Sequence, residues 1–238
     1  GVAITYRDTQ KNFGKIGTFT HFEELNSILR KVVNNSFESI EPIVGVQLDY
    51  KFKKEFNISQ VGLKTNVFNK QKHLFTDSRV TDTQIAILGL NGRNRIYKYI
   101  EEEYFILPQN HQKWKVYLPT SNGSGAIGEV LSTPLIGEPL IGHTETFIGI
   151  GEFDNQEEAE NLLKYIKTKF ARTMLGTLKI TQHNLASTWK NVPLQNFTNN
   201  SDIDWSQSIA QIDQQLYKKY GLSEKEIAFI EEKVRAME

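Results

Sequence analysis

The sequence contains no cysteine, which removes disulfide bonds, cysteine nucleophiles and thiolate metal sites together. It has no run of eighteen apolar residues, so no segment carries the pattern of a membrane-crossing helix. It has no net charge, with 28 basic residues against 28 acidic ones, and no internal repeat. No secretory leader is legible, and a reducing cytoplasm is the expected location. What is present is 238 residues with 39% hydrophobic and 11% aromatic content, enough to bury one large core or two small ones. Collagen, coiled coil and wholesale disorder are excluded. The opening Gly1–Tyr6 reads as a chain entered in mid-strand, which predicts a piece of a longer protein.

The zero net charge conceals segregation. Residues 1–45 balance at five against five, whereas residues 46–126 carry twelve Lys or Arg against seven Asp or Glu. Residues 127–160 carry eight acids and no base, residues 161–200 six bases and no acid, and residues 201–238 five bases and eight acids. A polyanion needs only a local basic face, so neutrality does not exclude DNA. The competing reading is that the acidic segment packs beside the basic one.

The pattern predicts an α+β chain. Residues 2–7 alternate as a strand, and Thr20 with Glu23 forms a capping box ahead of a helix with Phe22, Leu25, Ile28, Leu29, Val32 and Val33 at helical spacing. Short β-branched runs at Ile43–Leu48, Gln84–Leu88, Ile96–Ile100 and Trp114–Leu118 predict strands, with Asn91-Gly92 as a hairpin turn. Residues 119–142, rich in Gly and Pro, predict an irregular crossing segment. Thr146–Gly151 is strand-like, and Asn155 with Glu158 caps one long helix whose stripe runs from Ala159 to Met174. Two antiparallel helices, 205–219 and 224–237, close the chain, with Gly221 as the stop and Ser223 with Glu226 as a capping box.

Several motifs resemble chemistry without its context. Gly123–Gly128 has the dinucleotide-binding spacing, with Glu145 about twenty residues beyond, but Pro134 and Pro139 follow where the required helix should run. The loop's amides remain available to another phosphate, with Ser121, Asn122 and Ser124 as further donors. Asn191-Val192-Pro193-Leu194 lacks the second proline and the aromatic with which adenine methyltransferases hold a flipped base. Glu231 and Lys233 have a Glu-x-Lys spacing used by magnesium-dependent nucleases, on what reads as a solvated helix face. His21, His73, His111, His143 and His183 lack the spacing of a zinc pair, and no metal site is expected.

The side chains best suited to reading bases lie between Lys64 and Arg95. Arg79, Thr81, Asn91, Arg93 and Arg95 are candidates for base contacts, because Arg addresses guanine and Asn addresses adenine in the major groove. Lys64, Lys70 and Lys72 are candidates for phosphate contacts, with Asn66, Asn69, His73 and Asn94 interleaved. Polar loops of many soluble proteins have this composition, so the cluster alone does not decide the matter.

From about Trp114 onward the chain resembles a known family. The carrying strings are Trp114–Pro119 (WKVYLP), Thr144–Ile150 (TETFIGI), Glu157–Phe170 (EEAENLLKYIKTKF), Leu178–Gln182 (LKITQ), Trp189–Pro193 (WKNVP) and Asp204–Tyr220 (DWSQSIAQIDQQLYKKY), which together cover most of residues 113–222. They are similar to the C-terminal target recognition domain of bacterial type II restriction-modification enzymes with an adenine-specific DNA methyltransferase. Gly1–Ile4 is similar to the second half of the strand that ends such a methyltransferase domain.

The resemblance implies a twisted mixed or antiparallel sheet with a long packed helix and a C-terminal helical hairpin. It divides the chain into residues 1–45 as the end of the methyltransferase domain and a connecting helix, 46–200 as the recognition domain and 201–238 as a helical spacer. It implies double-stranded DNA and the upstream methyltransferase domain as partners. S-adenosylmethionine, and magnesium if the parent cleaves, belong to the parent protein; neither the cofactor loop nor the methylation tetrapeptide is in this sequence. Within that frame Lys113, Ser121, Asn122, Ser124, Lys167, Lys169, Arg172, Lys179, Gln182 and His183 are expected to contact the DNA backbone or a neighbouring domain. Trp189 and Trp205 are expected in the core. The alternatives are a magnesium-dependent nuclease using Glu231 and Lys233, and a protein-interaction module built on the helical tail.

Overall fold

A computed structural model describes residues 7–10, 17–34 and 36–237. The expected strand at residues 2–7 therefore lies, apart from Arg7, outside the described residues. The first helix, α1 (Glu23–Val32), buries Leu25, Ile28, Leu29 and Val32, with acids in its first turn and bases in its last, as the helix dipole favours. Its capping box does not form. Phe22 is the N-cap, and Thr20 instead exchanges hydrogen bonds with Asn26: its N–H donates to Asn26 Oδ1 (2.8 Å), and Asn26 Nδ2 donates to its carbonyl (2.7 Å).

The expected strand at 43–48 is also absent. Pro42 starts a single 3-10 turn, Glu41–Ile43, and the Asp49 carboxylate then captures the Val46 N–H at 3.1 Å, which turns the chain where a ladder would begin. Next come β1 (Lys51–Phe52), the short helix α2 (Val67–Lys70), β2 (Gln84–Asn91), β3 (Asn94–Glu101) and β4 (Phe105–Ile106). Then follow β5 (Trp114–Pro119), β6 (Leu135–Gly137), β7 (Ile141–His143) and β8 (Phe147–Phe153). Gly-rich residues 119–142 thus contain β6 and the start of β7 as well as irregular chain. The helices α3 (Gln156–Lys167), α4 (Lys169–Gly176), α5 (Ile209–Lys219) and α6 (Glu224–Lys233) complete the fold.

The strands form one antiparallel pair, β1-β4, and two three-stranded sheets ordered β3-β2-β7 and β6-β5-β8. Only β2 and β7 run parallel, so the fold is α+β with one mixed sheet. The hairpin turn is displaced by one residue from expectation: Asn91 pairs with Asn94, and Gly92-Arg93 make the turn, Gly92 at φ +61°. Period-two alternation sorts the ribbon: Ile85, Ile87, Ile96 and Ile100 enter a smaller core with Tyr50 and Val67. Its opposite face sends Leu88 against Tyr117 and Phe147. The larger core lies between β5, β8 and the helices, around residues such as Ile28, Val116, Ile150, Ile166 and Trp189. Both Trp189 and Trp205 are buried, as expected.

The long helix predicted from residue 155 is two helices. Asn155 caps the first as read, accepting from Glu158 N–H, but Thr168 leaves the helical region at ψ 150°. Its Oγ1 accepts from Ala171 N–H (3.1 Å), and the buried Asp213 carboxylate accepts from Lys169 and Phe170 N–H (3.0 and 2.9 Å). The new helix start is satisfied by side chains, so the break costs no unpaired amide. The last two helices stand within the expected ranges and are packed into the body of the fold. Both pack on α4, and α6 also packs on α1, where Lys31 Nζ donates to Glu226 Oε2 at 2.6 Å. Residues from both termini thereby share the larger core.

The seam between the two cores holds a buried polar group of Tyr50, His111, Tyr117 and His143. Tyr50 Oη and His111 Nδ1 lie 3.0 Å apart, and Tyr117 Oη donates to the Ile141 carbonyl. Burial pushes both imidazoles down to about 4. Unfolded, they titrate near 6.5. Between these values the unfolded chain binds protons that the folded chain refuses, so acid destabilises the fold across that window. Asp213 opposes this, since burial raises its carboxyl to about 6 and the folded chain protonates it first.

Two outcomes are expected. Thr168→Ala lowers unfolding free energy in urea by about 1–2 kcal/mol, the worth of a lost N-cap. Stability falls from about pH 7 to about pH 5, and His111→Gln with His143→Gln flattens that slope; equal slopes in both proteins would contradict the neutral, buried state of these rings.

Candidate nucleic-acid interface

The β2–β3 ribbon presents the predicted base-reading residues in two groups. At its tip Asn91, Arg93 and Asn94 are exposed, and their side chains make no hydrogen bond or ion pair with a described residue. A two-residue turn on eight-residue strands holds them at the end of a stiff stalk. Arg79 lies toward the other end, its guanidinium 6.0 Å from the centre of the Tyr99 ring. Tyr99 lies six positions beyond Arg93, about 20 Å at the rise of a β-strand. The structure therefore spreads these arginines along one ribbon.

Two of the five candidates are already engaged. Arg95 is a strut between the ribbon and the larger lobe: Nη1 donates to the Thr133 carbonyl at 2.7 Å and its guanidinium lies 5.4 Å from the centre of the Phe147 ring. Burial lowers its pKa from the ordinary arginine value. Thr81 donates to Glu101 Oε1 at 2.9 Å, and hydroxyls from Thr83 and Thr81 hold that carboxyl below its usual range. A stabilised carboxylate beside Thr81 repels phosphate, so this residue does not suit a DNA contact.

The phosphate candidates also divide. Lys64, Lys70 and Lys72 are exposed and lack ion pairs with described residues. A hydrogen-bond chain fixes the Lys64 end of this segment: Thr65 N–H donates to Glu145 Oε1 (3.0 Å), and Thr146 Oγ1 donates to Thr65 Oγ1 (3.1 Å). The Thr120 N–H donates to the Thr146 carbonyl, and the neighbouring Ser121 bridges to His183, with Ser121 Oγ 3.3 Å from His183 Nδ1. Ser121, Gln182 and His183 thus share one rim beyond the end of β5, and the backbone at Lys64 is tied to it through Thr65, with the Glu145 carboxylate between.

Other candidates are turned inward or paired with carboxylates, which corrects the expectation that they reach out to the DNA backbone or a neighbouring domain. Arg172 is buried, and its donors go to the carbonyls of Lys167, Thr168, Gly128 and Arg235. Burial pushes it down to about 10, still charged at neutral pH. Lys179 is buried against the Asn122 carbonyl and the Glu129 carboxylate. The Asn122 side chain is buried too, donating to the Val130 carbonyl and accepting from Ser132 N–H. Lys113 pairs with Asp154 and Lys169 with Glu231. Lys167 is half-buried in the last turn of α3.

The glycine loop carries the clearest correction. Gly123, Gly125 and Gly128 all have positive φ, and the loop does turn its amides toward an anion. That anion is Glu129 of the same chain. Ser124 N–H donates to Oε2 at 2.8 Å, Gly125 N–H donates at 3.2 Å, and Lys179 completes the pair. These residues consequently do not suit a dinucleotide or S-adenosylmethionine, and the Ser124 amide is not free for phosphate. Nor is the nuclease pair assembled: Glu231 accepts from Tyr217 Oη and pairs with Lys169, while Lys233 pairs with Glu232. Among the described residues no three His, Asp or Glu side chains are grouped to hold a metal ion.

The distribution of ion pairs separates the two lobes. Residues 50–107, which supply the smaller core, carry ten Lys and Arg against six Asp and Glu. Within them the one lysine–carboxylate pair among described residues is Lys98 with Asp77. The remaining lysine pairs lie elsewhere in the chain. Lys51, Lys53 and Lys54, not singled out from the sequence, belong to this uncompensated set; counting bases against acids over the 50–107 stretch alone would have drawn attention to them. No protein-family model matches the chain, and no curated protein is significantly similar to it.

The loop assignment predicts that Glu129→Ala, which strands a buried ammonium, costs about 3 kcal/mol in urea unfolding. Glu129→Gln should cost less by keeping acceptor and shape; wild-type stability in the alanine variant would overturn the assignment.

Proposed function

We propose that this chain is a sequence-specific double-stranded DNA recognition module of a bacterial, cytoplasmic restriction-modification protein. In this reading the adenine-specific methyltransferase domain lies elsewhere in the parent, which also holds S-adenosylmethionine and, if it cleaves, magnesium. The observation that carries the reading is a set of exposed cations with no carboxylate within 4.0 Å among the described residues. Lys64, Lys70, Lys72, Arg79 and Arg93 are exposed and unpaired among the described residues, while cations of the helical lobe are largely committed to carboxylates or carbonyls. Folding retains such charge only against a self-repulsion that a polyanion relieves, and each phosphate neutralised adds salt-dependent affinity.

Specificity then falls to the ribbon tip. The major groove admits a two-stranded ribbon, and Asn91, Arg93 and Asn94 carry the donors that address adenine and guanine. The nuclease alternative has less support, because Glu231 and Lys233 are each held by another partner.

Binding of the full chain to labelled duplexes, random and selected for affinity, tests this. Replacing Lys64, Lys70 and Lys72 together by alanine should weaken all duplexes alike and flatten the salt dependence by about two to three logarithmic units per decade. Arg93→Ala should reduce the preference for the selected sequence by about 1–3 kcal/mol. Absence of any duplex binding at low salt would refute the proposal, and magnesium-dependent cleavage by the chain would favour the nuclease.

A further inference from the structure

The short pair β1-β4 is flanked by a groove that the proposed function does not use. Its cavity volume is about 310 Å³, and Lys51, Lys53, Lys54, Val61 and Ile106 are among its lining residues. β1 pairs with β4 on one side, while on the other Lys51 bridges to Gly62 and Phe52 N–H donates to the Val61 carbonyl at 2.9 Å. Three short extended segments thus lie side by side. They leave Val61 66% exposed and Ile106 58% exposed, two apolar walls between lysines.

None of the three lysines has a carboxylate within 4.0 Å among the described residues. Acids border the cationic strip: Asp49, two residues before Lys51, interacts with it electrostatically from one end. Lys53 lies between this groove and a second one lined by Glu101, Glu102 and Glu103, and Glu55 follows Lys54 directly. A polyanion is therefore attracted along the β1 groove and repelled from the neighbouring one. The strip is also continuous with the proposed DNA-binding segment. Lys64 lies two residues beyond Gly62, the bridge partner of Lys51, and Gln60 Nε2 donates to Asn66 Oδ1 at 3.0 Å.

We propose that this groove is a second phosphate-backbone site, in which Lys51, Lys53 and Lys54 extend the Lys64–Lys72 contact along the DNA while Val61 and Ile106 pack against deoxyribose. The inference rests on the DNA-recognition reading and adds a distinct set of residues to it. The site carries no base-reading groups beyond lysine, so it adds affinity without sequence preference.

The test compares the full wild-type chain with the Lys51→Ala, Lys53→Ala, Lys54→Ala triple variant and the corresponding triple arginine variant. Each is titrated into a random-sequence duplex across a salt series, with urea midpoints confirming folding. At about 0.9 in slope per phosphate, loss of three contacts reduces the affinity change over a fourfold salt range by about 40-fold. The alanine variant should show that flattening with unchanged preference among sequences, and the arginine variant should restore the slope. A wild-type chain that binds steeply with salt, and an alanine variant with the same slope, would overturn this site while leaving the DNA reading intact. A wild-type chain that binds no duplex would overturn both. Loss of sequence preference in the alanine variant would also overturn it, because the groove would then be reading bases.

Discussion

A guanidinium keeps its charge on folding, so burying one forces the chain to bring oxygens to it. Arg172 draws those oxygens from three places: the end of α3, the glycine loop at Gly128 and the tail at Arg235. The helix break, the irregular loop and the end of the described chain meet on this one ion. Gly128 has a positive φ and lies against Val234, in space that a side chain would need. Lys115 plays the same part beneath β5, where the carbonyls of Asn110, His111 and Lys113 surround its ammonium and burial lowers it to about 8.

These internal cations explain why regional charge and surface charge differ. The run of bases in residues 161–200 looks in sequence like an external basic face, yet Arg172 and Lys179 are structural and Lys169 is neutralised by Glu231. The acidic segment before it supplies one of the partners, Glu129. The smaller lobe has no comparable arrangement. Its apolar core is formed by isoleucines, tyrosine and phenylalanine without buried lysine, so its cations remain at the surface.

What was legible in the sequence depended on local interactions. The caps at Asn155 and Ser223 are set by neighbours within a few residues and stand where the pattern put them, and the size and apolarity of Trp189 and Trp205 were enough to place them in the core. Thr168 was not legible, because the apolar stripe continues across it and the acceptor that stabilises the break, Asp213, is 45 residues away. Thr20 shows the converse: a good capping pair gave way when Asn26 offered both of its amide groups. For the candidate interface, residue type singled out Arg93 and Lys64, both exposed, but it could not distinguish an outward arginine from the inward Arg172 or the strut Arg95, since that choice is made by carbonyls distant in sequence.

The inner strand of the ribbon is held on both sides, antiparallel to β3 and parallel to β7. A slip of one residue would exchange Ile85 and Ile87, which fill the smaller core, with Ala86 and Leu88, which pack on the opposite face, so two different buried surfaces hold the register along the stem. The four residues from Asn91 to Asn94 lie beyond that lock and touch neither core. They form a cassette: mutation can rewrite the end of the ribbon, at Gly92 with regard to backbone shape and at its neighbours with regard to chemistry, while the scaffold that aims it stays unchanged.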